Sequence, residues 1–176
     1  FKREDETLLT SALFKSCENQ RELERFITEN REISDKWKVK MIEYLLPKDY
    51  QDTEAEILFE HCLYTDGSLL EKYPEEIFYK YILCPRVDLE KIVPYRKYLS
   101  EKFKDAKVSD IGEIRTLFNE VDTLLKEKPE FEYSTLYSTA YGAFTRGYAS
   151  KKSNRVIFIE LLRSLGIPSR LNPKDK

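Results

Sequence analysis

The chain has a single histidine, His61, and only three cysteines, Cys17, Cys62 and Cys84, in 176 residues. One imidazole excludes a two-histidine metal centre built from this chain, and scattered thiols without a C-x-x-C pair exclude the common zinc spacings. An odd and sparse thiol count is equally unsuited to a disulfide framework. No metal ligand set and no cofactor motif is therefore expected. Five glycines and seven prolines are too few for a collagen-like or low-complexity chain. No run approaches the roughly 18 apolar residues of a membrane-spanning helix. The opening Phe1-Lys2-Arg3-Glu4-Asp5-Glu6 lacks the apolar stretch of a signal peptide, and a start without Met is expected to reflect processing or trimming. Charge of one sign is missing as well: 30 basic residues face 32 acidic ones, with no basic stripe to collect phosphates. That balance excludes a general nucleic-acid binder.

What is present is apolar and charged matter in helical order. Hydrophobic residues make up 41% of the chain and aromatics 13%, enough for a core, and the period of the apolar positions is helical almost throughout. Leu9, Ala12, Leu13 and Ser16 share one face, as do Leu23, Phe26 and Ile27. Ser34 is placed to cap a helix carrying Trp37, Met41, Tyr44 and Leu45, which Pro47 should stop. Thr53 and Glu56 have capping-box spacing before the stripe Ala55, Leu58, Phe59, Cys62, so Cys62 reads as a buried thiol and His61 as a helix-surface histidine. Pro74 opens a short helix that Pro85 closes, and Pro94 opens another through Tyr95, Tyr98, Leu99, Lys102 and Phe103. Ile111, Ile114, Phe118, Val121 and Leu125 follow a Ser109-Asp110 cap and predict one buried face. Residues 133–142 read as loop with one helical turn at most. Most of the 12 tyrosines and 10 phenylalanines fall on these stripes, which assigns them to core filling.

The last helix ends with Phe158, Leu161, Leu162 and Leu165 on one side, Gly166 at a left-handed stop, Ile167 folding back and Pro168 preventing continuation. Ser169-Arg170-Leu171 is then expected to begin a strand. The wording of this segment, Leu162-Arg163-Ser164-Leu165-Gly166-Ile167-Pro168-Ser169-Arg170, resembles the LLRxLGIPxR signature of the transglutaminase-like superfamily, whose fold is similar to that of papain-like cysteine proteases. The likeness covers 77–173 and is strongest over 155–171. Phe78 to Arg86 with Tyr95-Arg96 looks like the lead-in of a gut-bacterial branch in which a helical region precedes the domain.

The resemblance implies a mainly α chain with two parts: a helical N-terminal region, 1–105, and the helical half of a transglutaminase-like α+β domain, 106–176, without its sheet. It also implies a relative of peptide- or amide-processing enzymes, exported from bacteria, with the cytoplasm as the alternative. Where the family bears its nucleophilic cysteine, this chain has Lys151 between Ser150 and Lys152, and the family's His and Asp have no counterpart. Thiolate chemistry needs an imidazole to deprotonate the thiol and a positive helix end to stabilise it. The expected catalytic set is therefore empty. The expected remnant is a degenerate pocket of Ser150, Lys151, Ser153 and Asn154 at the start of the last helix, open to a peptide or carboxylate-bearing partner. The competing reading is a helical protein-interaction module whose Gly-Ile-Pro turn is plain punctuation.

Overall fold

A computed structural model describes residues 3–131 and 136–172. It is mainly α, with helix at 65% and strand at 2%. The helices are α1 (Arg3–Lys15), α2 (Gln20–Thr28), α3 (Asp35–Tyr44), α4 (Pro47–Asp52), α5 (Ala55–Leu63), α6 (Glu75–Phe78), α7 (Arg96–Lys102), α8 (Ile111–Leu124), α9 (Ala140–Arg146) and α10 (Lys151–Ser164). Two-residue strands β1 (Lys126–Glu127) and β2 (Tyr148–Ala149) pair in parallel, in register Lys126 to Tyr148. Among the described residues no helix is long and apolar enough to cross a membrane.

Local chemistry explains most element ends. The Ser34 hydroxyl accepts from the Trp37 amide at 3.3 Å, and the Asp110 carboxylate accepts from the Glu113 amide at 2.9 Å. Pro47, expected to stop α3, instead opens α4: the chain has already left the helix at Leu45, and the fixed proline φ suits a first helical position. The Thr53 and Glu56 capping box does not form. Glu22 of α2 accepts from the Ala55 amide at 3.1 Å, and Glu56 is drawn to Arg25 at 2.7 Å, so a neighbouring helix supplies what the local box would have. Residues 133–135 of the expected loop lie outside the described residues. Beyond them Thr139 caps α9, accepting from the Gly142 amide at 3.1 Å, which extends the expected single turn into a seven-residue helix.

The core falls into two clusters. One joins α1 to α6 through Phe26, Met41, Ile42, Leu58, Phe78 and Ile82. The second joins α7, α8, α9 and α10 through Leu99, Leu117, Val121, Leu125, Ile157 and Leu161. Arg96 lies fully buried at the start of α7, donating from Nη1 to the Thr65 hydroxyl at 2.6 Å and from Nη2 to the Ile82 and Leu83 carbonyls at 2.7 and 3.1 Å. A guanidinium keeps its charge in proteins, so these acceptors are what make its burial tolerable.

The α8 stripe is only half buried. Val121 and Leu125 face the core, joined by Leu117 from outside the expected stripe, whereas Ile111 is 70% and Phe118 49% exposed. A single neighbouring helix covers a narrower arc than five positions span. Phe118 instead meets Phe158 of α10 edge to face, with centroids 5.1 Å apart.

The end of α10 follows its sequence closely. Gly166 has φ +77, its amide donates to the Arg163 carbonyl at 3.1 Å, and the Ile167 amide donates to the Leu162 carbonyl at 2.8 Å. This is a Schellman closure. Residues 169–171 form no strand: the Ser169 amide donates to the Tyr81 carbonyl at 3.3 Å, while the Ser169 carbonyl accepts from the Arg163 guanidinium at 2.8 and 3.0 Å. A side chain has taken the acceptor that a neighbouring strand would use.

Candidate functional site

The four residues expected at the degenerate pocket divide into two pairs. Ser150, and not Ser153 or Asn154, caps α10: its hydroxyl accepts from the Ser153 amide at 3.1 Å and lies 3.0 Å from the Ser153 hydroxyl. Ser153 in turn accepts from the Ser138 amide at 2.9 Å, and both serines are buried. Their oxygens are engaged by backbone donors, and among the described residues no imidazole or carboxylate is hydrogen-bonded to either one to activate it.

Lys151 and Asn154 face the other way, into a groove of about 240 Å³ between α8 and α10. Its floor is apolar, made by Phe118, Val121 and Leu125 of the α8 segment and Phe158 of α10. Lys151 and Arg155 stand on the α10 side, Asp122 and Glu127 on the other. The β1–β2 pairing sets this geometry, because Lys126 N donates to the Gly147 carbonyl and Lys128 N to the Ala149 carbonyl, both at 3.0 Å. That ladder brings Glu127 beside the start of α10. Asn154 donates from Nδ2 to the Leu125 carbonyl at 3.4 Å, which orients the amide, and its Oδ1 is buried without a hydrogen-bond partner among the described residues. An orphaned carbonyl oxygen beside an apolar slot is an acceptor waiting for an N–H donor. No acid occupies the first turn of α10, so Lys151 adds its charge to an already positive helix end.

The remaining reactive side chains lie elsewhere. Cys62 is buried, and loss of hydration pushes its thiol up to about 12. Cys84 is buried too, its thiol raised chiefly by the same desolvation. Neither is a thiolate at neutral pH. Cys17 is exposed. His61, expected on the surface, is fully buried: its Nε2 lies 3.0 Å from the Val93 carbonyl and its ring 4.5 Å from that of Tyr95. A carbonyl acceptor at Nε2 fixes the proton there, and Nδ1 has no partner among the described residues. Burial first, and the Arg96 charge second, hold the imidazole pKa well below its ordinary value. It is a structural, neutral histidine. The periodicity of α5 does not show this burial, because the segment that covers His61, 92–95, is remote in sequence from that helix.

A buried ionic group beneath the second half of α10 carried no sequence signal. Arg86 forms ion pairs with Asp49 and Glu90, and the Glu90 carboxylate also accepts from the Val87 and Asp88 amides at 2.9 and 2.8 Å. Arg163 donates to the Cys84 and Arg86 carbonyls at 2.8 and 2.7 Å. Glu160 is buried with Oε2 unpartnered among the described residues. Desolvation and then the Glu90 charge raise its pKa well above the ordinary carboxylate range, against the pull of Arg163 and Arg86. Among the described residues no group of three or more histidine, cysteine or acidic side chains is placed to hold a metal ion. Comparison with known protein families, with curated proteins and with solved structures finds no match.

Proposed function

We propose that the chain is a non-catalytic, transglutaminase-like binding protein that takes a peptide segment with a free carboxylate in the α8–α10 groove. The observation that carries this reading is the Oδ1 of Asn154, unpartnered among the described residues, beside an apolar floor and the Lys151 cation. A peptide matches all three features: an amide N–H for Asn154, an apolar side chain against Phe118 and Phe158, and a carboxylate for Lys151. Asp122 and Glu127 on the opposite side favour a peptide, with its separated donors and acceptors, over a bare anion, which they would repel. The absence of catalysis follows from the same residues. A lysine stands at the nucleophile position, the serines beside it are committed to the cap, and the only imidazole is neutral and buried.

Fluorescence anisotropy of a labelled tripeptide ending in leucine tests the reading, with its C-terminally amidated form and the Lys151→Ala protein alongside. Saturable binding is expected, weakened about two- to fivefold by amidation or by Lys151→Ala, as befits one exposed charge contact. The peptide should emerge intact. Cleavage of the peptide, or affinity indifferent to both changes, would overturn the proposal.

A further inference from the structure

A second cavity, of about 310 Å³, lies at the opposite end of α10, where the π-helical turn Tyr79–Leu83 meets the segment after Gly166. The π turn closes through the Cys84 amide and the Tyr79 carbonyl at 3.0 Å. It buries Tyr79, Ile82 and Leu83 while Lys80 and Tyr81 line the cavity, a local irregularity of the kind that recurs at functional sites. Four cations line the walls, Lys80, Arg86, Arg163 and Arg170, and no carboxylate does so among the described residues. Arg86 is balanced from behind by Asp49 and Glu90. Arg163 is bonded to the carbonyls of Cys84, Arg86 and Ser169, which satisfy its geometry and leave its charge uncompensated by them. Lys80 and Arg170 have no ion pair among the described residues; they rest on rings, Lys80 at 5.9 Å from Tyr44 and 5.5 Å from Tyr81, and Arg170 at 5.8 Å from Tyr81.

We infer that this cavity is a binding site for a small aromatic carboxylate, held by Lys80, Arg170 and Arg163 with its ring against Tyr44 and Tyr81. The cations call for an oxyanion, and the tyrosine walls call for a flat apolar body attached to it. The volume stands at the small end of ligand pockets, room for one ring and its carboxylate. The carbonyl end of α10 opposes an anion by at most about half a charge. The Schellman closure already engages its Leu162 and Arg163 carbonyls, so Lys80, Arg163 and Arg170, which face no carboxylate in the cavity among the described residues, prevail.

The test is independent of the groove at the start of α10. The full chain is titrated with benzoate, benzamide and inorganic phosphate while the ring resonances of Tyr44 and Tyr81 are followed by NMR. Saturable one-to-one benzoate binding is expected, weakened about tenfold or more in the double variant Lys80→Ala, Arg170→Ala and unaltered by Lys151→Ala. Lys80 and Arg170 are exposed, and an unchanged circular dichroism spectrum verifies that the variant is folded. Benzoate that fails to saturate, benzamide or phosphate that binds as well, or loss of binding in Lys151→Ala would each overturn the assignment.

Discussion

At the scale of single residues, burial decides the chemistry of the titratable groups. Cys17 is exposed whereas Cys62 and Cys84 are enclosed, so a disulfide exchange reagent at neutral pH should modify one thiol rapidly in the folded protein and all three after denaturation. Fast modification of two or three thiols in the native state would contradict the packing around α5. Glu160 gives a pH prediction of definite sign. Its folded pKa is raised, so the carboxyl imposes no penalty below the unfolded value of about 4.3, and stability is lost progressively as pH rises from there through the folded pKa. Glu160→Gln should therefore match the parent near pH 4 and exceed it in urea midpoint at pH 7. His61 works in the opposite sense, its depressed pKa removing stability as pH falls below about 6.5, and the comparison of variant with parent cancels that contribution. A Gln variant less stable than the parent at pH 7 would mean that Glu160 is ionised and paired.

At the scale of elements, two helix ends can be tested directly. Gly166 has φ +77, and a Cβ there would stand 2.7 Å from Cδ1 of Leu69, so Gly166→Ala should cost at least the ~1–2 kcal/mol of a left-handed alanine. Adding Leu69→Val should recover only the steric part. At the other end, Ser150→Ala removes an N-cap acceptor and should lower stability by about 1 kcal/mol, read from thermal unfolding. These ends also mark what a sequence makes legible. The stop at Gly166 and the caps at Ser34 and Asp110 are local, fixed within a few residues, and they fold as their spacing predicts. The start of α5 does not, because its cap comes from Glu22, and the strand expected at 169–171 fails because Arg163 claims the Ser169 carbonyl. Glu22 is remote in sequence though adjacent in space, and Arg163 is a side chain competing where the pattern implies a backbone partner.

At the scale of the whole molecule, buried arginines connect what the two apolar clusters leave separate. Arg96 reaches from α7 to the Thr65 hydroxyl and the Ile82 carbonyl, and Arg163 ties α10 to residues 84–86. Arg163→Lys should destabilise markedly despite conserving charge, since an ammonium cannot satisfy three carbonyls arranged around a planar fork; a urea midpoint equal to the parent's would refute that role. Lys151 and Asn154 were legible as the start of a strongly marked helix, and the structure places both on the wall of the α8–α10 groove. Their partners Phe118, Asp122 and Glu127 were not, because only the two-residue β1–β2 pairing brings that side of the groove into place.

The most direct test of a peptide groove between α8 and α10 is an amide-resolved NMR titration of the full chain with the leucine-ending tripeptide. The account predicts shifts concentrated at 118–127 and 151–158, including the side-chain amide of Asn154, with no cleavage product accumulating. Shifts centred elsewhere, or hydrolysis of the peptide during the titration, would contradict it.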